Sequence, residues 1–365
     1  MRLLVVTRPF VYHGGVERAT AGLVAALAEH GHAVEVLSWG GQQPLPGVAT
    51  RRLALPPLPA SGRALALAWA VRALTARRRW DVVQSHERTL GQDVYRAGEG
   101  CHRAYLDAVS EPRGRPAYHR VVLALERRVF ARTPRIVAIS RAGAGEIARL
   151  YGVPPARLDV VYNGVDLRRF HPDNRAAHRA AARAEAGVPA GAFTLLFVGG
   201  GFARKGLAVA LEALARLDDA EGRLVVLGRD DPATWRARAQ RLGVAARVAW
   251  LGARPDVERW YAAADALVLP TRYEPFGNVH LEALASGLPV VTSARAGGAE
   301  ALTAACGAAV DPTDAAAVAE AIQRLHGADP RALAAAARAA AEPFTFARQV
   351  AGFEAVYRGL KPSFH

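Results

Sequence analysis

The feature that most constrains this chain is an alternation of short β-branched runs with helical stretches, which runs through it twice. Strands are predicted at 3–7, 33–38, 81–85, 135–139 and 160–162. After a polar break at 163–175 come further strands at 193–198, 223–227, 248–251, 266–269 and 289–292. Amphipathic helices fit between them, among them 17–30, 206–217 and 279–286. Strands that alternate with helices of this length build βαβ units and parallel sheets. Continuous apolar strands such as LLFV and LVVL suit a sheet covered on both faces. The expected fold is therefore α/β: two doubly wound domains in tandem, the first over 1–166 and the second over 167–344. A helical segment at 345–365 is expected to return to the first domain.

The length of 365 residues suits two cores better than one. Apolar residues make up 51% of the chain and charged residues 22%, a globular composition. Two cysteines, Cys101 and Cys306, are too few for a secreted disulfide framework, so a reducing compartment is expected. The N-terminal apolar run is too short for a signal peptide. Arg63, Arg72 and Arg77 interrupt the longest candidate for a membrane span. The net charge is +14, and residues 1–166 carry most of it, with 23 arginines against 13 acidic residues. Such a face attracts nucleic acid, anionic lipid or a phosphorylated substrate, or is simply solvated.

The residues that carry chemistry follow the carboxyl ends of predicted strands, where ligands bind in open α/β sheets. Gly14 and Gly15 follow the first strand and precede a helix, whose N-terminus favours an anion. Their spacing is not GxGxxG, and an ordinary βα turn would look the same. His86 follows 81–85, and Arg229 follows 223–227. The loop GGGFARKG after 193–198 is more informative. Its glycines leave backbone open, Arg204 can grip phosphate oxygens in pairs, and Lys205 adds a compact charge. Two fixed cations suit a diphosphate leaving group, where negative charge grows as a bond breaks. The segment EPFGNVHLE holds Glu274 in a loop and Glu282 inside the following helix. The helix start near Gly277, Asn278 and Val279 can donate backbone N–H groups to a phosphate. A carboxylate accepts two hydroxyl protons, so Glu274 can hold sugar hydroxyls and Glu282 a ribose diol.

Glu274 to Glu282 followed by ALASGLPVVTS resembles the E-x7-E signature of the family 4 retaining glycosyltransferases, which share the two-domain GT-B fold. GGGFARKG is similar to their donor-phosphate loop, VYNGVD to the start of their linker and HGGVER to their glycine loop. The similarity spans nearly the whole chain. GQDVYRAGEGC together with FARKG resembles most closely the lipopolysaccharide core glucosyltransferases, which add glucose to an inner-core heptose. The chain departs from them at Pro275, Phe276 and Gly277. The resemblance implies two Rossmann-like domains facing a central cleft, an acceptor-binding first domain and a donor-binding second one. It implies that Gly14 and Gly15 meet the donor phosphates and that Arg204 and Lys205 neutralise them. His86 and Arg229 join this donor set, Glu282 takes the ribose, and Glu274 takes the hexose with backbone from Phe276, Gly277, Asn278 and Val279. Asp93, Lys205 and Glu274 are then the expected catalytic residues, with Asp93 near the reacting sugar. The donor is expected to be UDP-glucose, and the acceptor a glycan or lipid-linked molecule. GDP-mannose and UDP-N-acetylglucosamine remain open as donors.

No cofactor and no metal is expected. Asp218 with Asp219 and Asp230 with Asp231 fit solvent-facing turns, and the histidines lack zinc spacing. Residues 102–135 are basic, and 118–130 alternate Val121, Val122, Leu125, Val129 and Phe130 with arginines. Such a helix can lie on an anionic bilayer or pack on its own domain. Nucleic acid is not expected, since no aromatic residues interleave a basic strand. A cytoplasmic enzyme, peripheral on the inner face of the membrane, fits these features. The alternatives are a sugar-nucleotide epimerase of the same architecture, or a basic membrane or nucleic-acid binder without activity.

Overall fold

The computed structural model describes residues 1–10, 14–77, 79–109, 116–217 and 222–360. The chain divides into two compact units: Met1–Gly164 with the segment that begins at Phe346, and Val165–Thr345.

The first unit contains β1 (Arg2–Val6), α1 (Gly15–Glu29), β2 (Ala33–Ser38), β3 (Val48–Arg52), α2 (Ala60–Thr75), β4 (Val82–Ser85) and β5 (Val94–Ala97). It continues with α3 (His102–Ala108), α4 (Pro116–Arg132), β6 (Arg135–Ala138), α5 (Arg141–Tyr151) and β7 (Leu158–Val160). Its strands pair in parallel in the order β3-β2-β1-β4-β5-β6-β7. The central strands β1, β4 and β5 are buried almost throughout, as a sheet covered on both faces requires.

The second unit contains α6 (Asn174–Glu185), β8 (Thr194–Val198), α7 (Leu207–Arg216), β9 (Arg223–Leu227), α8 (Ala233–Arg241), β10 (Val248–Gly252) and α9 (Val257–Ala263). β11 (Ala266–Leu269), α10 (Asn278–Ala285), β12 (Val290–Ser293), β13 (Gly307–Val310), α11 (Ala315–His326) and α12 (Pro330–Ala341) complete it. Its parallel order is β10-β9-β8-β11-β12-β13. The chain then returns to the first unit as α13 (Phe346–Arg358), which packs on α1 and places Val350, Phe353 and Val356 in that core.

In both sheets the strand order reverses once, between β1 and β4 and between β8 and β11. Crossovers on either side of that point leave to opposite faces and open a crevice at the carboxyl ends of the strands. Three strands lack an apolar signature and differ from the sequence expectation. β3 is an exposed edge, VATRR; β5 carries Arg96; β13 is GAAV. β7 lies two residues before the stretch expected for it.

Candidate functional site

In the second unit the loop after β8 and the loop after β11 flank the switch point, and their charged side chains meet there. Lys205 Nζ donates to Glu274 Oε2 at 2.8 Å, and Arg204 Nη1 donates to the same oxygen at 3.1 Å. Arg204 Nη1 also donates to the Tyr273 carbonyl at 2.6 Å, which ties the two loops together. Two cations thus share one carboxylate among the described side chains. Burial alone would raise the Glu274 carboxyl. The charges and hydrogen bonds of Lys205 and Arg204 outweigh it and hold the group at about 2. Lys205 is itself only 7% exposed, so its charge acts through little water.

Backbone chemistry fixes this geometry. Gly206 has φ +81°, and a β-carbon there would lie 1.9 Å from the Pro270 carbonyl oxygen. Only glycine lets α7 begin so close to the end of β11. The glycine loop is held from β9: Asp230 accepts the Gly201 N–H at 2.9 Å and the Phe202 N–H at 2.7 Å. The expectation of solvent-facing turn residues holds for Asp231, which is exposed, and is corrected for Asp230. Asp230 positions the loop, and Asp231 accepts the Ala233 N–H at the start of α8. Asp218 and Asp219 lie outside the described residues. Arg229 follows β9 and is exposed.

Gly277, at φ +81°, precedes the first turn of α10 and is hemmed in by Glu274 and His280. His280 is fully buried and ties the Gly277 carbonyl (2.7 Å) to the Thr292 hydroxyl (2.8 Å). Burial lowers its pKa to about 4, against the pull of the Gly277 carbonyl and Glu274. The sequence gives His280 no role, because a histidine pinned in place has no spacing signal. Asn278 and Val279 open α10, while the Phe276 ring is buried, leaving only its backbone for a ligand. Glu282 lies further along α10, 4% exposed, and accepts from Tyr261 Oη at 2.8 Å. That hydrogen bond ties Glu282 to α9.

In the first unit Gly14 and Gly15 stand at the N-terminus of α1, and His13 of HGGVER lies outside the described residues. His86 follows β4 and is buried. Its Nε2 meets Gln84 Nε2 at 2.7 Å, and Gln84 in turn accepts from Tyr357 Oη on α13 at 2.6 Å. His86 Nδ1 is buried without a partner. Burial, then Arg96 and Arg8, push the His86 pKa well below its usual range, so the ring is neutral.

Asp93 is not placed with these groups. It precedes β5 at the amino end of the strand, and its carboxylate accepts the Val83 N–H at 2.9 Å. Gln84 pairs with Val94 and Ser85 with Tyr95, so His86, just beyond β4, lies about 10 Å further along the sheet than Asp93. The expectation that Asp93 lies near a reacting group is corrected on this ground: the carboxylate registers β4 against β5 at the edge away from the loops.

The carboxyl ends of β1, β4 and β5 instead carry a network that sequence reading missed. Arg8 donates to Glu87 at 2.9 Å and to Glu99 at 2.6 Å, and Arg88 donates to Glu99 at 3.2 Å and to Glu126 at 2.8 Å. Burial pushes the Glu87 carboxyl up, whereas Arg8 and Arg88 hold Glu99 down despite its burial. Arg8, Glu87, Arg88 and Glu99 floor a cavity of about 710 Å³ within the first unit, walled by Ala64 and Leu67 of α2 and by Tyr118, Val122 and Leu125 of α4. Arg8, Glu87, Arg88 and Glu99 each follow a strand end, so their signal was available, but arginine is too common in this chain to single them out, and Glu126 lies inside α4. The buried face of α4, which includes Val122, Leu125, Val129 and Phe130, packs into its own unit. The helix exposes Arg120, Arg127, Arg128 and Arg132. Of the two alternatives for this helix, its apolar face takes packing on its own domain; residues 110–115 lie outside the described residues.

Residues 13–169 match the family described as Glycosyltransferase Family 4, and 192–328 match Glycosyl transferases group 1. A probable transglycosylase of Burkholderia thailandensis is 32% identical over 350 residues, covering 93% of this chain and 92% of its own. The lipopolysaccharide glucosyltransferase WaaG of Escherichia coli is 30% identical over 301 residues, 78% of each chain. A crystal structure of WaaG, a glycosyltransferase involved in lipopolysaccharide biosynthesis, superposes with a TM-score of 0.82 at 26% identity, covering 99% of this chain and all of the other.

Proposed function

The chain belongs to Glycosyltransferase Family 4 and has the GT-B type of fold, and from that premise we propose that it transfers a hexose, glucose by first choice, from UDP-glucose with retention of configuration. The acceptor is a lipopolysaccharide core or another glycan or lipid-linked molecule, as the name of the WaaG relative suggests. The observation that carries the reading is the pair of cations on one carboxylate at the switch point of the second sheet. An arriving diphosphate offers Arg204 and Lys205 a second anion and frees Glu274 for sugar hydroxyls.

As the bond from the sugar C1 to the phosphate oxygen breaks, Arg204, Lys205 and the start of α10 meet the charge that grows on the leaving diphosphate. The acceptor hydroxyl forms its bond to C1 from the same face and gives its proton to the leaving phosphate oxygen. Glu282 holds the ribose. In the first unit Glu87 and Glu99 offer acceptors for the hydroxyls of a sugar in the cavity, and Arg8 and Arg88 offer partners for its anionic substituents. Because side chains supply the cations, the reaction needs no metal, and excess EDTA leaves the rate unchanged. The site of action is the cytoplasmic face of the membrane, where such acceptors are built.

A thermal-shift panel of nucleotide sugars tests the donor, since a ligand that binds only the native state raises its midpoint. UDP-glucose is expected to shift it most. Lys205→Ala and Glu282→Gln are expected to abolish transfer while the protein stays folded, and near-normal turnover in both removes this site. Release of a free sugar without a glycoside product would instead establish the epimerase reading.

A further inference from the structure

Arg96, near the carboxyl end of β5, is a buried cation that the fold leaves without a counter-ion. It is 2% exposed. Among the described residues it has no carboxylate partner: its Nη2 donates to Asn163 Oδ1 at 2.6 Å, and its Nε is buried with no acceptor. Burial lowers its pKa to about 10, and only Tyr95 pulls the other way. Gln349 of α13, which donates to the same Asn163 oxygen at 3.4 Å, is neutral as well. A charge taken out of water with no opposite charge is unfavourable, and a group left this way in a native fold calls for a ligand or an ion. Gly98 keeps one edge of the guanidinium open. It is half-buried, and a β-carbon on it would stand 2.3 Å from Arg96 Nη1.

A second partnerless donor stands beside the first. Ser85 pairs with Tyr95, and His86 and Arg96 each lie one residue beyond that pair, on neighbouring strands about 4.8 Å apart. Both share the sheet face that α13 covers, since Gln84, two residues before His86, meets Tyr357 there. The hydrogen bonds fix which nitrogen of His86 carries the proton. Tyr357 Oη donates to Gln84 Oε1 at 2.6 Å, which turns Gln84 Nε2 towards His86 Nε2 at 2.7 Å. An amide nitrogen only donates, so Nε2 accepts and the neutral ring has its hydrogen on Nδ1. That Nδ1 is the buried atom without a partner. The two strand ends thus present two donors, one of them charged, and the described residues offer neither atom an acceptor. The complement of such a pair is an oxyanion.

We propose that Arg96 and the Nδ1–H of His86 form an oxyanion subsite in the first unit, which takes the carboxylate or phosphate of an anionic sugar. The sugar rests on the glycosyl transfer proposed above. The subsite itself stands without the donor reading, since it involves no residue of the second unit. A free inorganic ion offers the same chemistry, and the experiment separates the two sources.

The experiment is a titration of the full chain carrying ring-15N histidine, with the His86 signals assigned by H86Q. Without ligand, Nδ1 is expected to read as protonated and Nε2 as bare; the reverse pattern overturns the proposal. Glucuronate, glucose 6-phosphate and inorganic phosphate, at constant ionic strength, are expected to shift the Nδ1 signal to saturation, and glucose is not. The sugar anions are expected to bind at least about tenfold more tightly than phosphate, and equal binding overturns the sugar as the source. R96Q is expected to bind at least about tenfold more weakly. Its ligand-free thermal midpoint is expected to be no lower than the parent's, because the charge it removes had no counter-ion. G98A, whose side chain would press on Arg96 Nη1, keeps both donors and is expected to weaken binding too. R204Q/K205Q is expected to leave the His86 response unchanged, so that failure of the donor site and failure of this one are told apart. No saturable shift with any of the three anions overturns the proposal, as does parent-like binding by R96Q and G98A alike.

Discussion

Glu274→Gln keeps the shape of the side chain and removes the single charge that Arg204 and Lys205 share. The cost follows from the titration of the carboxyl. Held at about 2 against an unfolded value near 4.5, the charged form gains about 3 kcal/mol from its surroundings. The glutamine forfeits most of that and leaves two cations facing a neutral amide. For a unit of this size the midpoint is expected to fall by roughly 6–12 °C. UDP reverses the comparison. At a hundred times its Kd a ligand adds about 2.7 kcal/mol. In the variant its diphosphate also supplies the anion that the cations have lost. The UDP-induced shift is therefore expected to equal or exceed that of the parent chain, even though the apo protein is weaker. Differential scanning calorimetry of both proteins, with and without UDP, reads all four values. A variant that melts within about one degree of the parent, or that UDP no longer stabilises, refutes the reasoning that these cations await a diphosphate.

Asp230→Ala frees two loop amides, at about 1.5–3 kcal/mol for a charged acceptor, so the donor KM is expected to rise with a modest fall in midpoint. An unchanged KM means that Asp230 does not hold the loop. Asp93→Asn retains an oxygen for the Val83 N–H, so kcat is expected within about threefold of the parent. A large kcat loss at unchanged midpoint would return Asp93 to the reacting centre. His280 titrates at about 4 when folded, below the 6.5 of a free imidazole, so the unfolded chain takes the proton first. Stability is then full above about pH 6.5 and falls by roughly 3 kcal/mol on the way down to pH 4. Urea unfolding across that range checks it, and a slope unchanged in His280→Gln counts against the assignment.

The sequence determined the architecture, because burial on both faces of a parallel sheet demands unbroken apolar strands and leaves a periodic record. LLFV, RLVVL and ALVL could hardly have been anything else, and β2, β9 and β11 fall on the expected residues. The edge strand VATRR left no such record, since it is held by pairing rather than by burial, and in the buried strand VYRA Arg96 interrupts the apolar run. Arg204, Lys205 and Glu274 were legible because each follows a strand end, and the strand order brings those ends together.

Which carboxylate serves which purpose was decided only in three dimensions. Asp93, Asp230 and Glu99 are alike as letters. One registers the amino edge of a sheet, one holds the glycine loop, and one lies in an arginine network on a cavity floor. The arginine-rich helices show the same division: α4 turns its apolar side inward, while α2 has apolar residues left over for the outside. Periodicity reports that a side chain has an environment to match. It does not say which end of a strand or which neighbour supplies that environment, because those distances are set by pairing register and crossover, far from the residue along the chain.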